Sequence, residues 1–214
     1  MNFSLKLVDT VSDVNKKIKV AIADKINVVF RKALKPIEDS LRPLVVKALQ
    51  NEPEYGSLIS GKLRYDFGIR DSGSISRVVE ALAASSTAKL RTVTATGGRL
   101  SGGISIGFMK TDDMSGLIYT DLASVITEDS KVLPWLEWLL YHGTSPIIKR
   151  YQVEYGPNPN SRTGNAIMVH SQSDWSVPSN FSGRVNDNWT TRAASKISDN
   201  EITNIVQKNI ERYI

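Results

Sequence analysis

His142 and His170 are the only side chains of this 214-residue chain whose unperturbed titration lies near neutral pH, and there is no cysteine. No His-x-x-x-His pair and no acidic cluster accompanies them, so neither histidine has the ligand set of a transition-metal site. Without cysteine, disulfides, thiolate zinc centres and cysteine nucleophiles are excluded together. Gly103-Ile-Ser-Ile-Gly107 has the letters of a hydrolase nucleophile elbow. That motif needs a strand before it and a helix directly after it, so that the serine is lifted onto a sharp turn. Here the pentapeptide itself alternates like a strand. The glycine-rich Gly97–Gly103 stretch lacks the Gly-Lys-Ser/Thr ending of a phosphate loop and reads as a hairpin turn. Asp112-Asp113 either touch a cation or are simply solvated. Asn180-Phe-Ser and Asn188-Trp-Thr match a glycosylation pattern that matters only on secretion. No convergent set of titratable groups remains, which points to a structural or binding protein: no enzyme, no cofactor, no small-molecule substrate.

The elements that would position these residues follow from periodicity. From Val14 the apolar positions fall at Ile18, Ile22, Ile26, Val29 or Phe30, Ala33, Ile37, Leu41, Val45 and Leu49, one helical stripe over about ten turns. Pro36 and Pro43 predict a kink or a split, giving helices over 12–35 and 37–50. Residues 51–56 then end this arm. Leu63, Tyr65, Phe67 and Ile69 alternate as a strand with one buried face. Ile75, Val78, Val79 and Leu82 predict a short helix to Ala84, with the turn Asp71-Ser-Gly-Ser74 offering its N-cap. Residues 88–95 and 103–109 read as an antiparallel pair joined through Thr96-Gly-Gly-Arg99, followed by a polar loop over 111–116. Strand formers fill 117–126, although Asp121-Leu-Ala-Ser leaves helix and strand open there.

Leu133-Pro-Trp-Leu-Glu-Trp-Leu-Leu-Tyr-His-Gly-Thr144 predicts a helix of about two turns, apolar on nearly every side except Glu137 and stopped at Gly143. Such an element must be covered, by its own domain or by another subunit. Residues 147–155 and 165–170 read as strands flanking a long exposed turn at 156–164, and 171–183 as a loop carrying Trp175, Pro178 and Phe181. Helices follow from Asn188 and from Ser198-Asp-Asn-Glu201, the latter a capping box. The fold class is therefore α+β: a central, mostly antiparallel sheet, a basic helical arm over 1–50 and a core domain over 51–214, with an exposed excursion at about 147–183.

Apolar content of 41% and charge of 23% are ordinary globular values. No run of 18 apolar residues exists to cross a membrane. The first residues lack a signal-peptide apolar core, so synthesis in a cytoplasm is expected. The net charge of +5 is uneven: residues 1–50 carry ten Lys or Arg against five Asp or Glu, whereas 51–214 carry seventeen of each. Lys16, Lys17, Lys19, Lys25, Arg31 and Lys32 are the candidates to face DNA phosphates or an acidic partner, the alternative being a solvated helix face.

Three blocks together resemble a known family: Ser60-Gly-Lys-Leu-Arg-Tyr-Asp-Phe-Gly68, the Leu133–Thr144 segment, and Trp175-Ser-Val-Pro-x-x-Phe-x-Gly-x-x-x-Asp-Asn-Trp-x-Thr-Arg-Ala193. Their order is similar to that in the neck and tail-completion proteins of tailed bacteriophages. In that group a long N-terminal helix leads to a Ser/Thr-Gly-x-Leu-Arg segment, a Leu-Glu-x-Gly-Thr helix end, and a Phe-x-x-Arg-Ala stretch before a last helix. Leu139-Leu-Tyr-His142 and the 147–183 excursion depart from the shorter members. The resemblance implies a non-enzymatic ring subunit at the head–tail junction, a neck, tail-terminator or tail-completion protein, with a homo-oligomeric ring of sixfold or else twelvefold symmetry. The implied partners are neighbouring neck, portal-adaptor, tail-tube or sheath proteins and packaged DNA in the channel. The implied location is the virion, after synthesis in the host cytoplasm. Trp135, Trp138, Tyr141, His142, Trp175, Phe181, Trp189 and Arg192 are then candidate subunit contacts, since aromatic residues and arginine dominate such anchors. The alternatives are another tail adaptor (baseplate or sheath-associated) and a nucleic-acid-binding protein acting through the basic arm.

Overall fold

The computed structural model describes residues 9–109, 111–127 and 130–214, without the side chains of 111–113; the Asp112-Asp113 carboxylates therefore lie outside the described residues. In chain order it comprises α1 (Val11–Gln50), α2 (Pro53–Ser60), α3 (Lys62–Asp66), α4 (Gly73–Ala84), β1 (Thr87–Thr96), β2 (Arg99–Gly107) and α5 (Thr111–Ile118). Then come β3 (Val125–Ile126), β4 (Val132–Leu133), α6 (Trp135–Tyr141), β5 (Tyr151–Tyr155), β6 (Ala166–His170), α7 (Trp189–Ser195) and α8 (Asp199–Ile210). The α+β class holds, with a long N-terminal and a C-terminal helix. Every strand pairing among the described residues is antiparallel, but the strands form three two-stranded ribbons, β1–β2, β3–β4 and β5–β6, so the expected central sheet is divided.

Three corrections concern the first seventy residues. α1 is one helix of 40 residues that runs through Pro36 and Pro43. An interior proline costs a helix about 3 kcal/mol. Here Ala33, Ile37, Leu41, Val45 and Leu49 form an unbroken, fully buried stripe across both prolines, and burial of such a face outweighs local propensity. Towards the N-terminus the stripe shifts. Ile18 and Ile22 are 50% and 44% exposed, and Ala23 and Asn27 face inward instead. The second correction is that 63–69 is not a strand. Leu63 and Phe67 are buried, and the spacing of four suits a helix as well as alternation suits a strand. The Phe67 N–H donates to the Leu63 carbonyl at 3.0 Å, and Gly68, at φ +66°, ends the turn. Residues 51–56 likewise do not end the helical region, because Pro53 opens α2 from a position where its missing N–H is harmless. Residues 111–116, read as a polar loop, belong to α5.

The chain folds as two compact units. The first holds α1 as far as Ser40, the β1–β2 ribbon and the chain from Ile202 onward, so the arm residues to Ser40 have partners of their own. The ribbon lies lengthwise along α1, attached at three points. The Ala88 N–H donates to Glu38 Oε1 at 3.0 Å, Asn27 bonds both main-chain groups of Val93, and Lys19 Nζ donates to the Gly98 carbonyl at 2.9 Å. The span is self-consistent. Nineteen helical residues at 1.5 Å and ten strand residues at 3.3 Å each cover roughly 30 Å. A bulge between Arg91 and Thr94 admits Asn27 to the strand, and opposite it Gly102 sits at φ +136°, where a Cβ would meet the Val93 Cα at 2.5 Å. Buried Asn209 of α8 donates to Ser40 Oγ at 3.1 Å.

The second unit, from Leu41 to Ser86 and from Phe108 to Glu201, contains the larger core. Its buried side chains include Leu41, Val45 and Leu49 of α1, Leu58, Leu63, Ile75, Val78, Val79 and Leu82, and Leu136, Leu139 and Leu140 of α6. The expected boundaries of α4, α6 and α7 hold closely. Gly143, at φ +58°, stops α6, and the Ser198–Glu201 capping box forms as read.

Candidate interaction surfaces and a buried acid–phenol pair

Tryptophan is large and amphipathic, so it is fully enclosed only where its N–H finds an acceptor or its face finds other rings. Both solutions occur in the second unit. Phe67 is ringed by Trp135, Trp138 and Trp175 at centroid distances of 6.1, 6.4 and 5.9 Å, and Trp138 and Trp175 lie 5.8 Å apart. Trp189 is fully buried and donates its indole N–H to the Leu49 carbonyl at 3.0 Å. Trp135, Trp175 and Trp189 are therefore core residues, not free anchors. Trp138, Tyr141 and Phe181 are half-buried and His142 is exposed, beside Glu137 at 3.7 Å. Burial raises the Tyr141 hydroxyl's pKa, with Glu137 adding to it.

Arg192 also works inside the fold. Its guanidinium bonds Glu54, which is completely buried, and Asp187 at 2.7 Å; one turn on, Lys196 reaches buried Glu52 at 2.7 Å. These contacts tie α7 to the start of α2. Burial opposes the guanidinium's charge, but the bonds to Glu54 and Asp187 prevail and its pKa is raised. Two acids flanking Pro53 were the sequence signal for this pairing.

One group of titratable side chains was not foreseen. Asp66, at the end of α3, accepts a hydrogen bond from the Tyr155 hydroxyl of β5, and Lys62 Nζ contacts that hydroxyl and sits 4.4 Å from the Tyr155 ring centroid. Burial pushes the Asp66 carboxyl above its ordinary range, against the Tyr155 bond and the Lys62 charge. Tyr155 is pushed up by burial and by Asp66, so it stays a donor. A cleft of about 280 Å³ adjoins, lined also by Tyr151 and Trp175. Ser176 also lines the cleft, and no histidine is among its described lining residues. His170 instead stacks on Tyr151 with centroids 4.3 Å apart, its Nε2 3.0 Å from the Tyr151 hydroxyl. The trio acts as a lock between α3 and β5. Among the described residues, no three His, Asp or Glu side chains gather as metal ligands, and no helix is long and apolar enough to cross a membrane.

The basic candidates all lie in the first unit. Lys16, Lys17, Lys25, Arg31 and Lys32 are exposed; Lys17 pairs with Asp9 at 2.6 Å, and half-buried Lys19 is committed to the ribbon tip. The ribbon adds Lys89, Arg91 and Arg99, all exposed, and residues 87–107 contain no acid. The first unit's segments carry thirteen Lys or Arg against six Asp or Glu, while the second unit's carry fourteen against sixteen. The charge asymmetry noted along the chain thus becomes an asymmetry between units. Exposed apolar side chains gather there too: Val11, Ile18, Val20, Ile22 and Val28 on α1 and Leu100 on β2 are all more than 40% exposed. Comparisons with family models, with curated proteins and with solved structures return no match.

Proposed function

We propose that this chain is a non-enzymatic virion structural protein: a ring-forming subunit at the head–tail junction of a tailed bacteriophage, acting as a neck, tail-terminator or tail-completion protein. The three sequence blocks support the family, and one structural observation carries the assembly. Val11, Ile18 and Ile22 recur at i, i+7 and i+11, which aligns them on one side of α1, at 74%, 50% and 44% exposure. A row of large aliphatic side chains left in water forgoes about 25 cal/mol per Å² of burial, and such rows mark contact surfaces. A head-to-tail contact that closes into a ring would cover it on every subunit at once. Sixfold symmetry is favoured over twelvefold; neck, portal-adaptor, tail-tube or sheath proteins are the neighbours, and the virion is the location. The test is electron microscopy and native mass measurement of the protein, alone and co-expressed with those neighbours. Closed rings are expected, and Ile18→Glu with Ile22→Glu should abolish them. A chain that stays monomeric with every such neighbour would sink the proposal.

The concentration of positive charge in the first unit favours one further reading, contact with nucleic acid through the basic arm. It predicts duplex-DNA affinity that falls steeply with salt. Replacing Lys16, Lys17, Lys19 and Lys25 by Gln should flatten that slope; an unchanged slope removes this reading.

A further inference from the structure

Gly103-Ile-Ser-Ile-Gly107 is not a nucleophile elbow: it lies within β2, with Ser105 opposite Lys89 of β1. We propose that it is a self-complementary strand edge, which pairs antiparallel with the same segment of a second copy about a two-fold axis through Ser105.

A two-stranded ribbon has two outer edges, and only the β1 edge has a helix bonded along it here. On the β1 side, the outward N–H of Ala88 is taken by Glu38, and both outward groups of Val93 are taken by Asn27. Natural proteins close sheet edges in this way, by laying a helix along them. The β2 side differs. Ala88 stands opposite Ile106, and Leu90 opposite Ile104. In an antiparallel ladder, when one member of a directly opposed pair turns its N–H and C=O outward, so does the other. Ile104 and Ile106 therefore present four main-chain groups away from β1, and no main-chain group of the described residues outside the ribbon bonds them. Charged residues, which commonly guard such edges, are absent from Leu100 to Met109.

The occupant follows from the letters. Gly-Ile-Ser-Ile-Gly reads the same in both directions. With Ser105 opposite its twin, Ile104 meets Ile106 of the second copy, and Gly103 meets Gly107. Outward groups then face outward groups, giving four main-chain hydrogen bonds. Isoleucine pairs line one face, where Ile104 and Ile106 are only half-buried in the single chain, and serines line the other. A shift of one residue would set isoleucine against serine and outward groups against inward ones. The charges tolerate the pairing. The two Lys89 side chains would start three strand spacings apart, roughly 14 Å, beyond the screening length of about 8 Å at physiological salt. Because the β1 edge is closed, the sheet stops at four strands, β1–β2 and its twin, and cannot grow into a filament. The contact does not depend on the ring. By itself it makes a dimer, and on a closed ring it joins two rings face to face.

Ser105→Cys tests the axis directly, in a chain with no other thiol. Opposed residues at a non-hydrogen-bonded position have Cα atoms about 4.5 Å apart, within the roughly 4.4–6.8 Å that a disulfide spans. Mild oxidation should give a covalent dimer, while Ser101→Cys, which has no twin opposite, should not cross-link. In parallel, Ile104→Pro removes an outward N–H that the ribbon does not use, and sedimentation should show the two-fold association lost. The inference is overturned if Ser105→Cys links no faster than Ser101→Cys, or if Ile104→Pro associates as the wild type does. Cross-linking that persists in the Ile18→Glu, Ile22→Glu protein separates this contact from the ring.

Discussion

Asn27 holds the first unit together with two bonds, and its loss can be worked out. Its Oδ1 accepts from the Val93 N–H at 2.8 Å and its Nδ2 donates to the Val93 carbonyl at 2.9 Å, with Asn27 only 6% and Val93 only 7% exposed. Asn27→Ala removes both partners and leaves two buried main-chain groups unpaired. A net hydrogen bond contributes about 1 kcal/mol, and an orphaned buried group costs about 1–3 kcal/mol, so a loss of roughly 2–4 kcal/mol is expected. For a chain of this length that lowers Tm by roughly 5–15 °C. Asn27→Asp sharpens the test, because it keeps the volume and the acceptor for the N–H. Ionised, it sets a second oxygen against the Val93 carbonyl; protonated, it donates to it. Burial and that carbonyl raise its folded-state pKa above the unfolded value near 4. Its stability relative to wild type should therefore be best at acid pH and fall as pH rises through the raised pKa. Chemical denaturation across pH, with hydrogen exchange at the Val93 amide, measures both effects. An Asn27→Ala cost below about 0.5 kcal/mol with that amide still protected would refute the clamp.

Substitutions at three other places probe the second unit. Arg192→Met leaves the fully buried Glu54 carboxylate without its cation, at a cost of about 3 kcal/mol; adding Glu54→Gln should recover most of it, and denaturant titration of the single and double variants reads the coupling. Trp189→Phe gives up the indole bond to Leu49 and part of the ring volume, for about 2 kcal/mol, while Trp189→Ala should cost about 3–5 kcal/mol. Burial raises the folded-state pKa of Asp66 above the ordinary carboxylate range. It binds its proton more readily folded than unfolded, so its contribution to stability falls as pH rises through that window. The stability of wild type relative to Asp66→Asn should accordingly decline from acid to neutral pH, and a flat difference would show that Tyr155 and Lys62 fully offset the burial.

Local periodicity carried most of the element boundaries, and it failed where tertiary burial outvoted it. The 75–84 helix, the hairpin through Gly97-Gly98 and the capped last helix each had a single period or a turn signal, and the structure matches them. Pro36 and Pro43 signalled breaks through a local cost, whereas the stripe from Ala33 to Leu49 is a distributed gain across the same residues. Leu63, Phe67 and Ile69 fit two periods at once, and Phe67 faces a tryptophan some seventy residues away, which no local window can see. Asn27 was the hardest to foresee. An asparagine on an otherwise apolar helical face is a weak signal until its two partners, sixty-six residues distant, are known.

The same reasoning explains why three of the aromatic candidates are buried while α1 keeps exposed apolar side chains. A seven-residue helix such as α6 has little stability of its own. Being apolar on nearly every side, it persists only if its surroundings are apolar too. Phe67 and Trp175 supply those surroundings from within the unit. The tryptophans expected to reach a neighbouring subunit are thus largely consumed in holding α6. α1 is in the opposite position. At 40 residues it keeps its helix well beyond the length that its core stripe alone requires, so Val11, Ile18 and Ile22 can remain in water without loss of fold. Under the proposed assembly, that surplus apolar surface, more than the aromatic residues, is what meets a partner. The two contact faces proposed above, the N-terminal half of α1 and the edge of β2, both lie in the first unit.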